Sequence, residues 1–457
     1  MALSRVPDPG HGVDEEPAMA TPTTDDDLTT PVTTREEQAV GHGPQAPRRP
    51  RAPEGGKTGE LSSRIARRAA EAHAGQPIDR LLAEGLPGNE LTTLLLHGLR
   101  QRALRRSFAE VLDHAERAPM THASAADARR IHAFDAAAYA AAEGFEAVDL
   151  APVGPLGATA CAGVEPNNVL ATVRFAEVAA DPTTGLALHA ARRRRETRGG
   201  EPLRLCASQR VLRMQPTKHP GFSPHFRLFA LVTAARSPGR SEDDACERRA
   251  LLEHLVVWAD LIRALPAAGF RAAGLRVVLS DTCVVRACLR ARGLDADALA
   301  QRAKAHEPGS SEAALREASV DLPRAAADYA GAVRSLGLGP EPVARAERWA
   351  AEVGEPLSRA RPEVEIVYDL ARLQGLGYYA GPFVQLVVRR DDGLELPLGD
   401  GGAVPWLGAL LSNRRERMVA TGIGTEMVVK LFDRSTPRAE ARPTPRAGEA
   451  RPEEPTP

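Results

Sequence analysis

Arg204-Leu-Cys-Ala-Ser208, Gln209-Arg-Val-Leu-Arg-Met214 and, after a loop, His225-Phe-Arg-Leu-Phe-Ala-Leu-Val232 read as successive β-strand stretches. Upstream, Val169-Leu-Ala-Thr-Val-Arg174 is rich in β-formers, and Phe145-Glu-Ala-Val-Asp-Leu150 alternates before Pro152. A helix is expected over Asp127–Glu143, stopped by Gly144. Downstream, Leu251, Leu252, Leu255, Val256, Leu261 and Leu265 recur at helical spacing, so a long helix is expected from Ser241 to Leu265. Pro266 ends it, because proline disfavours a helical residue before it. Leu275–Leu279 is a short strand, and 284–360 returns to helix, broken at Gly293, Pro308/Gly309 and Gly337 to Pro340. Strands at 364–369, 378–388 and 394–399, a helix through Leu407–Leu411 and a strand–helix passage through 418–432 complete the pattern. Strands set among helices without strict βαβ alternation mean α+β, with a mixed or antiparallel sheet.

Composition narrows the function classes. Lys+Arg is 59 and Asp+Glu is 60, a net charge of −1, which excludes a global basic field for nucleic acid. The five cysteines (Cys161, Cys206, Cys246, Cys283 and Cys288) show no CxxC spacing, so a zinc site or disulfide framework is not expected and no metal site is assigned. They read as small buried apolar residues. Met1 to Gly10 has no basic-then-apolar signal pattern, and no run of about 18 apolar residues occurs, so a cytoplasmic protein with no membrane partner is expected. Residues 1–58 and 434–457 are rich in Pro and charge and poor in large apolar residues, and are expected to be disordered. Residues 60–120 carry leucines and alanines at three- and four-residue spacing and are read as a small helical N-terminal unit. No GxGxxG follows a strand and no GxxxxGK[ST] occurs, which excludes the dinucleotide-binding and P-loop readings.

Four segments in order resemble the class II aminoacyl-tRNA synthetase core of the histidyl type, and more closely its relative, the regulatory subunit of ATP phosphoribosyltransferase. The resemblance spans about 125–432, with 284–360 as a helical insertion. It implies a class II antiparallel sheet flanked by helices. Gly144-Phe-Glu-Ala-Val-Asp-Leu-Ala-Pro152 is similar to the family's G-Y-x-x-V-x-x-P strand at the dimer interface. Asp181-Pro-Thr-Thr184 sits where the family grips an amino acid, and Asp181 and Thr184 are the candidates there. Val211-Leu-Arg213-Met-Gln215 with His225-Phe-Arg-Leu-Phe229 looks like motif 2. The resemblance gives Arg213 an α-phosphate, which a guanidinium can hold bidentately, and gives Phe229 the adenine ring to stack on, with His225 alongside. Tyr368-Asp-Leu-Ala-Arg-Leu-Gln-Gly-Leu-Gly-Tyr-Tyr-Ala-Gly381 resembles the histidine-site signature. Tyr378, Tyr379, Gly381 and, further on, Gly401 are then substrate-binding candidates. The tyrosines are expected on one strand, facing opposite sides.

The departures matter as much. Gln374 stands for the signature's Arg, Gly377 for its Asp, Gln385 for a later Glu and Gln215 for the motif 2 Glu. Met427 occupies the motif 3 Arg position, where a thioether cannot neutralise a triphosphate. Arg414, Arg415 and Arg417 are read as a solvated basic face, and Arg192 to Arg195 as a solvated basic loop. After motif 3 the sequence shows only a Pro-rich tail where the family has an anticodon-binding domain, so tRNA is not an expected partner. The expectation is a histidyl-tRNA synthetase-like paralogue that binds an amino acid or nucleotide, or a partner enzyme, and regulates. The alternative is an adenylating enzyme that activates a carboxylate with ATP and Mg²⁺ for a carrier or small molecule. A second alternative is a dimeric scaffold or adaptor. A homodimer is implied in each.

Overall fold

The computed structural model describes residues 57–73, 75, 77–197, 201–215, 223–239, 243–303 and 309–435. The disorder expected at 1–58 and 434–457 lies outside these residues, except that Lys57 and Thr58 open a helix and Arg434 and Ser435 form a turn. The interval 216–222, in the loop between the two central strands, also lies outside them.

The strands are β1 (Glu146–Ala147), β2 (Val153–Pro155), β3 (Ala176–Val178), β4 (Leu203–Leu212), β5 (His225–Arg236), β6 (Ala272–Asp281), β7 (Glu365–Tyr368), β8 (Pro382–Arg390), β9 (Glu395–Val404) and β10 (Glu416–Ile423). Eight form one sheet, ordered β1-β4-β5-β10-β9-β8-β6-β7. Every pair from β4 to β6 is antiparallel. The two edge strands, β1 and β7, pair in parallel. Parallel neighbours need a crossover of a dozen or more residues, and the helices between Thr282 and Ala360 supply it for β6 and β7. The edge strands are two and four residues long, which leaves little unpaired backbone for a stray strand to join.

Residues facing each other across an antiparallel ladder share a face of the sheet. On β5, Phe229 and Leu231 enter the larger core with helices Ala128–Ala141, Asp243–Ala264 and Thr425–Phe432. Ala230, Val232 and Ala234 enter a smaller core with helix Pro182–Glu196, Trp406 and Leu407. The β4–β5 hairpin therefore shows opposite parities of one sequence to two different surroundings.

Two expected strands differ. Residues 169–174 make only an isolated bridge, at Ala171, because Phe175 turns the chain with a left-handed φ of 54°. Tyr378 and Tyr379 lie in a turn ahead of β8, not on it. Gly375, at φ 100°, starts that turn, and its carbonyl accepts from both tyrosine N–H groups, at 3.0 and 2.8 Å. Arg192 to Arg195 are the last turns of a helix rather than a loop. Arg194 is buried and its Nε donates to Glu416 at 3.0 Å. Arg415 donates to the Ser237 carbonyl at 3.0 Å, and Arg417 to buried Glu247 at 2.5 Å, so both brace the far end of β10. Cys161 and Cys283 are exposed, contrary to their reading as core residues.

Candidate functional site

Arg213 follows β4 directly and keeps the parity of Val211 and Gln209, so it emerges on the face of the smaller core. Its Nε donates to the Ala180 carbonyl at 3.0 Å and its Nη2 to Asp181 Oδ2 at 3.1 Å. Asp181 is the N-cap of helix Pro182–Glu196 and accepts from the Thr183 N–H at 2.9 Å and the Thr183 hydroxyl at 2.6 Å. Thr183, not Thr184, is thus the threonine tied into the site. The Tyr378 hydroxyl sits against Thr183, with the Asp181 and Asp400 carboxylates in its field. Burial, reinforced by those carboxylates, pushes the Tyr378 hydroxyl well above its ordinary pKa, and burial with Asp400 does the same for Tyr379. Both phenols stay neutral donors at any physiological pH.

The tyrosines form one aromatic wall. Their rings meet edge to face at 5.0 Å, Tyr378 meets Trp406 at 5.2 Å, and Tyr379 stacks on Phe383 at 5.5 Å. They do not face opposite sides of a sheet, because the turn carries both into the same core.

Arg372 completes the site and was not singled out in the sequence. It is 7 % exposed, and its guanidinium lies 5.0 Å over the Phe383 ring. Only Nη2 has a partner, Asp400 at a long 3.5 Å. Nε and Nη1 are buried with no partner among the described residues. A buried, half-satisfied guanidinium costs several kcal/mol of desolvation unless something completes it. Gln374, two residues on, turns away and donates to Ser310 at 2.9 Å. Arg372 and Asp400 thus set a buried cation and an exposed carboxylate beside the tyrosines. Alternation along β9 sets Asp400 on the Phe383 face and Gly401 on the other.

The remaining candidates lie elsewhere. Gly401 pairs with Val384 and Thr421, and a Cβ there would meet Thr421 Cα at 2.5 Å, so it allows close strand packing. Gly381 faces Arg345 and Glu247, away from the tyrosines. Phe229 is fully buried, edge to face with Tyr139 at 5.1 Å and Trp258 at 6.1 Å, and offers no ring to a nucleotide. Phe226 does: it is half-buried, and Arg213 lies 5.3 Å over its ring. His225 points to the opposite face, where Nε2 donates to the His122 carbonyl at 2.6 Å and Nδ1 accepts from Arg210 at 2.9 Å. Arg213, His225 and Phe229 are thus not brought together. Arg415 and Arg417 sit at the opposite end of β10 from Met427, roughly 20 Å along the strand from Ile423, too far to replace the side chain lacking there. Among the described residues no His, Cys, Asp and Glu side chains gather as a metal-holding group.

No family model matches the sequence, and no curated protein matches it. Solved structures do. An ATP phosphoribosyltransferase regulatory subunit/histidyl-tRNA synthetase from Bacillus halodurans is 17 % identical, with a TM-score of 0.50 over 66 % of this chain and 78 % of that one. A histidine–tRNA ligase subunit from Alicyclobacillus acidocaldarius is 18 % identical, with a TM-score of 0.49 over 68 % of this chain and 95 % of that one. A histidyl-tRNA synthetase from Nostoc is 12 % identical, with a TM-score of 0.47 over 67 % and 72 %. The first likeness shows the fold alone: an α+β core with a mostly antiparallel sheet flanked by helices, of the class II synthetase-like kind. No helix among the described residues is long and apolar enough to cross a membrane.

Proposed function

We propose that this chain is an atypical histidyl-tRNA synthetase-like paralogue that binds an amino-acid-class ligand and regulates, rather than charging tRNA. One observation carries the reading: the buried Arg372 guanidinium with two unpartnered nitrogens, beside Asp400 and the tyrosine wall. A ligand carboxylate satisfies the guanidinium, an ammonium pairs with the exposed Asp400, and the aromatic rings keep water from the guanidinium. Asp181 stays with Arg213 and Thr183 as the frame of the site. The ligand meets the Tyr378 and Tyr379 hydroxyls. One structural neighbour is described as a regulatory subunit, which supports a partner enzyme for this chain, and the fold supports a homodimer. We place the protein in the cytoplasm.

A thermal-shift series with the amino acids tests the reading, because a ligand that binds only the folded state raises Tm. One amino acid should raise it saturably, and Arg372→Met should abolish the shift. A flat response across the set overturns the proposal.

A second reading, a carboxylate-adenylating enzyme, is favoured by the Arg213–Phe226 pair, a cation beside a flat ring at the edge of the site. Arg213 would have to exchange Asp181 for a phosphate. Exchange of pyrophosphate into ATP, dependent on one carboxylate and on Mg²⁺, would establish this reading; no exchange with any acid removes it.

A further inference from the structure

On the other face of the same hairpin, a cleft of about 520 Å³ opens between helix Ala128–Ala141 and the ends of β4 and β5. Arg210 and Arg227 both line it. They are direct cross-strand partners, a placement that sets two like charges about 5 Å apart at Cβ and is normally destabilising. Each is anchored by one nitrogen. Arg210 Nη1 donates to His225 Nδ1 at 2.9 Å and to Glu426 at 3.2 Å. Arg227 Nη1 donates to Asp135 at 3.1 Å and to the Ser208 hydroxyl at 3.2 Å. The Nε and Nη2 edge of each guanidinium has no partner among the described residues, and Arg227 Nε is buried.

The carboxylates nearby are already shared. Asp135 also accepts from the Ser208 hydroxyl at 2.7 Å, and Glu426 from the Ser124 hydroxyl and from Lys430 at 3.1 Å. Arg210, Arg227 and Lys430 against Asp135 and Glu426 leave the cluster one positive charge in excess. A guanidinium pinned at one nitrogen with its fork edge free is preorganised for an oxyanion. A carboxylate has two oxygens and saturates one such fork. A phosphoryl group has three and can serve both. Ile131 and Ala126 add an apolar wall, so the cleft takes more than a bare anion.

We propose that this cleft is a second ligand site, separate from the tyrosine site, that binds the phosphoryl group of a small phosphorylated molecule between Arg210 and Arg227. The test is titration of the full chain with inorganic phosphate at constant ionic strength, followed by Tm and by calorimetry. A saturable rise in Tm is expected in the parent protein and in Arg213→Gln, which alters only the other face. Arg210→Gln/Arg227→Gln should weaken phosphate binding at least tenfold. If the double variant does not fold, the single Arg210→Gln, on a half-exposed side chain, should show the same tenfold loss. No saturable response in the parent, undiminished binding in the Arg210 variants, or loss of binding in Arg213→Gln overturns the proposal.

Discussion

Arg213 Nη2 donates to Asp181 Oδ2 at 3.1 Å, joining the end of β4 to the N-cap of helix Pro182–Glu196. The family resemblance implied both residues as ligand contacts, one for a phosphate and the other for an ammonium. In the fold each is the other's counter-ion. Within this site the side chain with capacity to spare is Arg372, beside Tyr379 and over the Phe383 ring.

Replacing Arg372 separates a ligand-binding role from a structural one. Arg372→Met removes a buried charge that has a single long polar contact. The ligand-free protein should lose less than about 1 kcal/mol, or gain stability, because an apolar replacement of a poorly satisfied buried charge is often neutral or favourable. Urea unfolding of the ligand-free protein measures it. A loss above about 3 kcal/mol would mark Arg372 as a structural cation instead.

Two phenylalanines three residues apart should behave oppositely. Phe229→Ala empties a fully buried position between Tyr139 and Trp258 and should cost about 3–5 kcal/mol. Phe226→Ala, at a half-buried position under Arg213, should cost about 1 kcal/mol. Denaturant midpoints of the two variants check the assignment of faces directly.

Stability should fall on acidification through His254. Its ring nitrogens lie 2.9 Å from the Thr233 and Thr421 hydroxyls. Burial, with Arg204 nearby, pushes its pKa down to about 3. The folded state keeps the ring neutral, whereas the unfolded chain takes up a proton below its ordinary pKa of about 6.5. The contribution is therefore complete above about pH 6.5 and is lost as pH falls toward about 3, by up to about 1.4 kcal/mol per pH unit. Urea midpoints should show about 2 kcal/mol less stability at about pH 5 than at about pH 7 from this residue alone, a difference absent in His254→Gln.

Arg194→Met should cost about 3 kcal/mol. It leaves the buried Glu416 carboxylate with the Arg236 Nε contact at 2.9 Å and takes away the Arg194 contact at 3.0 Å. A solvated arginine would change stability by less than about 0.5 kcal/mol. Equilibrium unfolding discriminates the two.

Periodicity and punctuation along the chain were enough for the α+β class, the long helix ended near Pro266 and the hairpin of β4 and β5, because helix and strand patterns depend on residues a few places apart. The family resemblance, not periodicity, pointed to Asp181, Arg213, Tyr378 and Tyr379, which the fold does gather. Which face each residue takes needed the assembled sheet. A single step in parity sends His225 and Phe226 to opposite sides, and no local signal within the loop sets that step. Arg372 and Asp400 were invisible for a related reason. They lie 28 positions apart on a turn and a strand, and they meet only once β8 and β9 pair. Local pattern reports a residue's neighbours in sequence, whereas charge pairing and desolvation depend on neighbours in space.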